Sequence, residues 1–357
     1  MKKHAIIPVF ISHRGCPNDC VFCNQRKITA RQGDVTPEDV RNTIETWLST
    51  LGHLDPSEIE VAFFGGSFTG IPMEEQTAFL KIAKEYKDKG LIGKIHMSTR
   101  PDYINKDILD NLKHYGADII ELGVQSLDPE VLKLSGRGHD ADIVYQSSRL
   151  IKEYGFTLGI QLMIGLPGDT LEKDIYSALE TVKIAPEIAR LYPTVVIPET
   201  ALFEMYQTGE YTPLTESDAV NRTKEMYKIL DNAGINIIRV GLKSSDIITD
   251  EGCMGTFHPA FRQLVEGEIA RESLESQISD ICPGIKNGEN GRGHECPTVY
   301  FVSNPKSRNA MFGHKGCNRK YFENNYTGLN IRWVNDSHVG LCLGDNRYKV
   351  LDETQIQ

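Results

Sequence analysis

Short apolar runs alternate with amphipathic segments along the first two thirds of the chain. Residues 5–11 and 60–64 are almost continuously apolar, which is typical of parallel strands that are buried on both faces. Between them, residues 37–51 carry apolar side chains at helical intervals, with Thr36 as an N-cap and Pro37 at the first helical position. The pattern therefore predicts a strand, a loop and a helix as its basic unit.

The same unit recurs downstream. Strands are predicted at 95–98, 118–124, 157–164, 189–197 and 235–240, and helices at 73–87, 106–115, 130–134, 140–154, 171–183 and 218–232. Strands that alternate with helices and short connections predict an α/β fold with a parallel sheet, here a partial (β/α)6 barrel of the TIM type. In such barrels the functional groups lie at the carboxyl ends of the strands.

The character of the sequence changes after the last predicted barrel strand. We expect residues 1–245 to form the barrel core and residues 246–278 to form a helical extension that packs on it. Residues 279–296 are rich in Gly, Asn and Glu and predict a linker. Residues 297–357 carry two apolar runs separated by a helical pattern, which predicts a small C-terminal α/β unit.

Composition narrows the class of protein. The chain has 357 residues, of which 40% are hydrophobic and 25% charged, and its net charge is −10. The acidic balance argues against a surface coated in basic residues for nucleic acid, and no apolar run is long enough to cross a bilayer. Eight cysteines without paired spacing, and no signal peptide, indicate a reducing compartment. We therefore expect a cytoplasmic protein without membrane contact.

Three cysteines stand in a loop directly after the first predicted strand. Cys16, Cys20 and Cys23 are spaced C-x3-C-x2-C. Thiolates are the usual ligands of iron–sulfur clusters, and a four-iron cluster held by three of them keeps one iron open to another ligand. A structural zinc site would need a fourth ligand, for which His13 is the nearest candidate. The spacing favours the cluster and leaves zinc as the alternative.

With Phe22 before the third cysteine, this loop resembles the signature of the radical S-adenosylmethionine (SAM) superfamily. The resemblance implies a [4Fe-4S] cluster on Cys16, Cys20 and Cys23, which makes them the predicted metal ligands and catalytic residues. It also implies that SAM binds the open iron and is cleaved reductively to a 5′-deoxyadenosyl radical. A reducing partner such as flavodoxin or ferredoxin would supply the electron.

Motifs at the ends of later strands carry the resemblance further. Within the superfamily they are most similar to a branch that includes the oxygen-independent coproporphyrinogen oxidase and the Elongator catalytic subunit. The resemblance implies that Gln125 contacts the SAM ribose, that Arg137 holds the SAM carboxylate and that Gln161 lies beside the ribose. The alternatives are a loop amide for Gln125 and a solvated surface arginine for Arg137. The remaining predicted SAM-binding residues are Phe22, Gly65, Gly66, Ser67, Ser98, Ile164 and Gly165.

Several of these have specific expectations. Gly65 and Gly66 end the second strand, where a Gly-Gly-Glu-like motif of the superfamily binds the methionyl amino group. Ser67 stands in place of the glutamate, which is compatible with a contact through the backbone. At the end of the fifth strand, Ile164 and Gly165 begin a Gly-Leu-Pro-Gly turn that would meet the adenine.

Overall, the chain most resembles the radical SAM half of the Elongator catalytic subunit, on motifs at 98–103, 121–126, 191–197 and 258–262. That family modifies a wobble uridine of tRNA, which makes tRNA a predicted partner. From the sequence we expect neither its basic N-terminal extension nor an acetyltransferase-like domain in this chain. Two alternatives are therefore a radical SAM enzyme that acts on a small metabolite or cofactor precursor, and a non-catalytic iron–sulfur or zinc-binding module.

Two features lie outside these motifs. Residues 305–321 contain basic but no acidic side chains, so they could contact RNA phosphates or form an ordinary solvated face. The basic residues are Lys306, Arg308, Lys315, Arg319 and Lys320, with Phe312 and Tyr321 as candidates for stacking on bases.

The other five cysteines are expected to be small buried thiols rather than ligands of an auxiliary cluster. They are Cys253, Cys282, Cys296, Cys317 and Cys342.

Overall fold

A computed structural model describes residues 4–11, 15–16, 20–24, 35–242, 253–282, 297–335, 347–352 and 354–355. The chain divides into two compact units, Met1–Pro259 and Ala260–Gln357. The predicted linker lies mostly outside the described residues, since 283–296 are not among them, and the predicted domain boundaries stay predictions.

The first unit is built on a seven-stranded parallel sheet in the order β1-β2-β3-β4-β5-β6-β8. Its strands are β1 (Ala5–Phe10), β2 (Ile59–Phe64), β3 (Lys94–Thr99), β4 (Ile119–Gln125), β5 (Thr157–Ile164), β6 (Ile188–Pro193) and β8 (Asn236–Val240). A short antiparallel pair, β7 (Val195–Val196) and β9 (Met254–Gly255), lies beside it. Apart from β7, strands that follow one another in sequence are neighbours in the sheet, as in a (β/α) barrel.

Helices connect these strands. They are α1 (Pro37–Leu51), α2 (Met73–Asp88), α3 (Lys106–His114), α4 (Pro129–Leu134), α5 (Ala141–Glu153), α6 (Leu171–Ile184), α7 (Ala201–Thr208) and α8 (Glu216–Asn232). Local chemistry fixes where they begin: Thr36 and Asp39 form a capping box in which each side chain accepts a hydrogen bond from the other residue's backbone. Thr170, Thr200 and Thr215 cap α6, α7 and α8 through their hydroxyls.

A single contact shows that the sheet curls. The guanidinium of Arg190 on β6 lies over the ring of Phe64 on β2, 5.3 Å from its centroid. Three strands separate β2 from β6, so in a flat sheet the two backbones would stand ~19 Å apart. The curvature confirms the predicted α/β fold with a partial TIM-like barrel, and it places both side chains on the concave face.

The second unit has a small mixed sheet in the order β11-β10-β12. Its elements are α9 (Phe261–Ile281), β10 (Thr298–Ser303), α10 (Arg308–Phe312), α11 (Cys317–Asn325), β11 (Asn330–Asn335) and β12 (Tyr348–Asp352). Leu274 and Ile278 of α9 pack with Phe301 and Phe322 in its core. The part of the chain that the structure describes contains no helix that is long and apolar enough to cross a membrane.

Candidate functional site

The three cysteines of the predicted cluster lie just beyond the carboxyl end of β1. Cys16 is exposed, Cys20 is buried and Cys23 is half-buried, and the backbone N–H of Cys23 donates to the carbonyl of Cys20 at 2.9 Å. Among the residues that the structure describes, no three Cys, His, Asp or Glu side chains are grouped as metal ligands. The ligand set therefore stays a prediction.

The cysteine loop packs against the turn that follows β2, backbone on backbone. Gly15 has a φ of +74°, and a Cβ there would overlap the carbonyl oxygen of Ser67. A Cβ on Gly70 would in turn overlap the carbonyl oxygen of Gly15. Only glycine allows this approach, because it has no side chain and accepts a positive φ at little cost. The first cysteine is thus fixed next to the predicted SAM-binding turn.

Two further hydrogen bonds hold the second half of the loop. The N–H of Val21 donates to the carbonyl of Ser135 at 3.1 Å, and its carbonyl accepts from the N–H of Leu202 at 2.7 Å. Phe22 packs in an apolar cluster with Leu202 and Tyr211. The loop therefore contacts segments that follow β4 and β7 as well as β2.

Ser67 joins the ends of β2 and β3. Its buried hydroxyl lies 2.8 Å from Oγ1 of Thr99 and accepts from the N–H of Arg100 at 3.1 Å. Thr99 Oγ1 also lies 2.5 Å from Oγ1 of Thr69. The Ser67 hydroxyl is therefore used in hydrogen bonds that connect the two strand ends. A ligand at this turn would contact its backbone, which includes Gly65 at a φ of +90°.

Arg137 is the residue that brings the cysteine loop and β4 together. Its side chain is buried, with Nη1 donating to Sγ of Cys20 at 3.0 Å and Nη2 donating to the carbonyl of Gly123. The neighbours Gly136 and Gly138 both have positive φ, which lets the loop turn back over the strand end. The alternative of a solvated surface arginine is therefore wrong.

Gln125 ends β4 in a conformation that few side chains adopt. Its φ is +71°, and the register with β5 shifts between Gly123 and Gln125. A bulge of this kind re-aims a side chain, and a left-handed non-glycine residue is uncommon outside turns and functional sites. The observed strain is consistent with a role for Gln125, which stays a prediction.

The concave face of the sheet carries a polar network that the sequence motifs did not reveal. Gln161 donates through Nε2 to Oγ of Ser98 at 3.1 Å and to Oε1 of Glu121. Glu121 is fully buried, and its Oε2 accepts from Nε of Arg190 at 2.8 Å and lies 3.5 Å from Nε2 of His96. Burial raises the pKa of Glu121 less than the Arg190 charge and the His96 contact lower it, so the pKa falls to about 2.

A sequence signal for this network existed. Glu121 and Arg190 interrupt otherwise apolar strands at positions that share a face, and Glu60 does the same on β2. Polar residues at alternate positions of a buried strand indicate a second, polar face. The near-continuous apolar runs had suggested strands that were apolar on both faces.

The turn after β5 is held by a pair of buried carboxyl groups. Gly165, at a φ of +81°, donates its N–H to Oδ2 of Asp169 at 2.9 Å, and its carbonyl accepts from the hydroxyl of Tyr211 at 2.6 Å. Arg222 contacts Oδ2 of Asp169 at 3.1 Å and Oδ2 of Asp174 at 2.5 Å. Burial, followed by the charge of Asp169, raises the pKa of Asp174. The neighbouring Ile164 is fully buried.

The donor chemistry of this region fits an iron–sulfur cluster and a zwitterionic ligand. Three thiols stand on one loop, and two buried guanidinium groups, of Arg137 and Arg100, lie beside it. Among the described residues, Nη1 of Arg100 is buried without a hydrogen-bond partner. An unmatched cationic donor of this kind is costly unless a negative group is nearby.

The remaining cysteines differ in their exposure to solvent. Cys253 is buried, as expected, and Cys282 is half-buried. The expectation of a buried thiol is wrong for Cys317, which is exposed at the first position of α11. Cys296 and Cys342 lie outside the described residues.

Two family profiles match this chain. The profile of the Radical SAM superfamily matches residues 10–182, and the profile of the Radical_SAM C-terminal domain matches residues 186–271. The chain belongs to the radical SAM superfamily and is an enzyme.

Within that class the chain is similar to the Elongator branch. It is 29% identical over 255 residues to a tRNA uridine(34) acetyltransferase of Methanocaldococcus infernus, covering 60% of this chain and 48% of that protein. It is 30% identical over 264 residues to Elongator complex protein 3 of Homo sapiens, covering 60% and 47%. The chain thus spans about half the length of the curated relatives it matches.

A solved structure shows the same fold. Methanocaldococcus infernus Elp3 with an N-terminal deletion superposes with a TM-score of 0.63 at 24% identity, over 78% of this chain and 66% of that one. At this identity the likeness supports the fold alone.

Proposed function

We propose that Cys16, Cys20 and Cys23 hold a [4Fe-4S] cluster, that SAM lies across the ends of β2 to β5, and that the enzyme modifies a uridine of tRNA. The observation that carries this proposal is the position of Arg137. A guanidinium that reaches both Cys20 Sγ and the end of β4 lies where the cluster and the carboxylate of its SAM ligand would meet. When bound, the cluster and SAM supply the 5′-deoxyadenosyl radical.

The chain's own residues position these groups. Backbone carbonyls at Gly65 and Gly66 would accept from the SAM amino group, and Gln125 and Gln161 would bind the ribose hydroxyls. The Gly165 turn, fixed by Asp169 and Tyr211, would face the adenine. Phe22 would help to exclude water from the cysteine loop, because its ring already packs with Leu202 and Tyr211.

The concave face would receive the substrate. Phe64 directly precedes the predicted SAM-binding turn, and Arg190 covers its ring. In the strand register, Arg190 pairs with Gln161 and Gln161 pairs with Gly123, whose carbonyl contacts Arg137. The polar network therefore lies in the same row of strand positions as the predicted SAM site, and a substrate bound on it would be close to the radical.

The relatives' names support tRNA as the substrate. The side chains of Lys306, Arg308, Lys315 and Lys320 are exposed and available to phosphates. Arg319 is exposed too, although it is paired with Glu323 at 2.8 Å.

We propose that reduced flavodoxin or ferredoxin supplies the electron. The non-catalytic alternative is set aside because the family and the relatives indicate an enzyme.

Anaerobic reconstitution with iron and sulfide, followed by dithionite and SAM, tests the chemistry by the appearance of 5′-deoxyadenosine. Cys23→Ala should lose the cluster absorbance and the product while its far-UV circular dichroism is retained. Cys317→Ala, at an exposed cysteine outside the loop, is the matched control and should behave as wild type. Full cleavage by Cys23→Ala would contradict the assignment of the ligands.

The substrate is tested separately by a gel shift with unmodified tRNA at several salt concentrations. Replacement of Lys315 and Lys320 by Gln should weaken binding and reduce its salt dependence by about two counterions. Binding that is unaffected by these changes would indicate another RNA-binding surface, and the absence of tRNA binding would favour a small-molecule substrate.

A further inference from the structure

A second buried arginine stands beside the cysteine loop, and the motif comparison gave it no role. Arg100 follows β3, and only 4% of its surface is exposed. Burial of a guanidinium is costly unless the protein matches its donors. The groups that Arg100 contacts therefore indicate its role.

Those partners tie Arg100 to both sides of the predicted cluster site. Its backbone N–H donates to the hydroxyl of Ser67 at 3.1 Å, and Ser67 is the residue whose carbonyl lies against Gly15, next to Cys16. Its Nη2 donates to the carbonyl of Arg137 at 2.6 Å, and Arg137 reaches Cys20. Arg100 thus connects to the second cysteine through Arg137, and to the first through Ser67 and Gly15.

A carboxylate fixes the orientation of the side chain. Nε and Nη2 of Arg100 form a two-pronged contact with Asp102, with both distances 2.9 Å. The fork–fork geometry is specific for arginine and would be lost with lysine. Asp102 is partly exposed and Arg100 is buried, so solvent screens the negative charge of Asp102 more than the positive charge of Arg100. Nη1 of Arg100 has no hydrogen-bond partner among the described residues.

We propose that Arg100 is a positioning residue that holds Arg137 against Cys20 and, through its charge, makes the cluster easier to reduce. The proposal rests on the proposed function. In the reductive step the oxidised cluster accepts one electron from a reduced one-electron donor, and no bond breaks. The cluster becomes more negative by one charge, so a fixed cation in a low-dielectric environment stabilises the reduced form more than the oxidised one.

Three variants separate the two roles. Arg100→Gln removes the charge and the fork, and Arg100→Lys keeps the charge and loses the fork. Arg41→Gln, the control, removes a guanidinium of α1 that pairs with the exposed Glu85 of α2. The readouts are iron content, the reduced fraction followed by electron paramagnetic resonance during a redox titration, and SAM binding at equilibrium.

In Arg100→Gln we expect the ratio of reduced to oxidised cluster at a fixed potential to fall about tenfold, which is ~59 mV for one electron. In Arg100→Lys we expect that ratio to stay within about threefold of wild type while SAM binds about tenfold more weakly, because Arg137 is less firmly held. Arg41→Gln should match wild type in all three readouts.

The proposal is overturned if Arg100→Gln takes up iron and titrates and binds SAM as wild type does. If Arg100→Gln fails to take up iron, Asp102→Asn replaces it: loss of the compensating carboxylate should raise the reduced fraction, and a fall or no change overturns the proposal. Failure of the wild-type protein itself to form a cluster would instead contradict the proposed function.

Discussion

The guanidinium of Arg137 donates to Sγ of Cys20 at 3.0 Å and to the carbonyl oxygen of Gly123, so one side chain connects the cysteine loop with the end of β4. These two elements are more than a hundred residues apart in sequence. Their connection through a buried cation supports the proposal that the loop and the strand end form one site.

We expect Arg137→Lys to weaken SAM binding by about 10–100-fold while iron content stays near wild type. Lysine keeps the charge but cannot contact a strand carbonyl and a second group through two parallel donors, and a charge-assisted hydrogen bond is worth about 1.5–3 kcal/mol. Equilibrium binding of SAM to the anaerobic, reconstituted protein measures the effect. Arg149→Lys, on the exposed side of α5, is the control, and equal affinities for both variants would remove Arg137 from the SAM site.

We expect Gly15→Ala to prevent cluster uptake in a barrel that remains folded. The new Cβ would overlap the carbonyl of Ser67, so the loop has to leave the turn after β2. Gly116→Ala is a matched control, because its φ of +72° imposes the same backbone strain but no atom lies within 4 Å of the added group. Iron content and far-UV circular dichroism of both variants measure the outcome. Equal iron uptake by the two would show that the close approach is dispensable.

We expect Glu121→Gln to lower the free energy of unfolding by about 3–5 kcal/mol. The change leaves the largely buried guanidinium of Arg190 without its carboxylate partner, which is the costly way to break a buried ion pair. Glu85→Gln breaks an exposed pair with Arg41 and should have no measurable effect. Urea unfolding followed by fluorescence compares them, and similar midpoints for both variants would contradict the importance of the network.

The pH dependence of stability should report on Asp174. Burial and the neighbouring Asp169 raise its pKa above the ordinary value of 3.8, so above that value the folded state binds more protons than the unfolded state. Stability from this group is therefore complete below pH 3.8 and is lost as pH rises through the folded-state pKa. The amide of Asp174→Asn does not titrate in this pH range, so the variant lacks this contribution to the pH dependence of stability.

Urea midpoints at pH 5.5 and pH 8.5 test this expectation. The wild-type midpoint should fall between the two values, and the midpoint of Asp174→Asn should fall less. Asp88→Asn, at an exposed carboxylate at the end of α2, should follow wild type. Parallel loss of stability in all three proteins would assign the dependence to other groups.

The sequence predicted the fold because strand and helix patterns are local. Apolar runs of five to eight residues and caps such as Thr36 identify elements without knowledge of their neighbours. The chain was also expected to place Gly65 and Gln125 at strand ends, and these positions follow from the order of strands in a parallel sheet. The likeness to a known family supplied the roles.

Contacts between distant strands were not predictable in the same way. The pairing of Glu121 with Arg190 depends on the curvature of the sheet, and that of Arg100 with the carbonyl of Arg137 depends on how a loop folds back over β4. Neither is encoded by spacing along the chain. β12 was also missed, since its five residues form a strand only by pairing with β10.

The hydrogen bonding of the large sheet ends at β1 on one side and β8 on the other. A closed ring could widen only if the hydrogen bonds between two of its strands broke. In the described sheet β1 and β8 are not hydrogen-bonded to each other, so a larger distance between them would cost no backbone hydrogen bond. The proposed tRNA substrate would bring to this sheet a nucleotide that is still attached to a long polymer, and a ring that hydrogen bonds do not close is compatible with such a substrate.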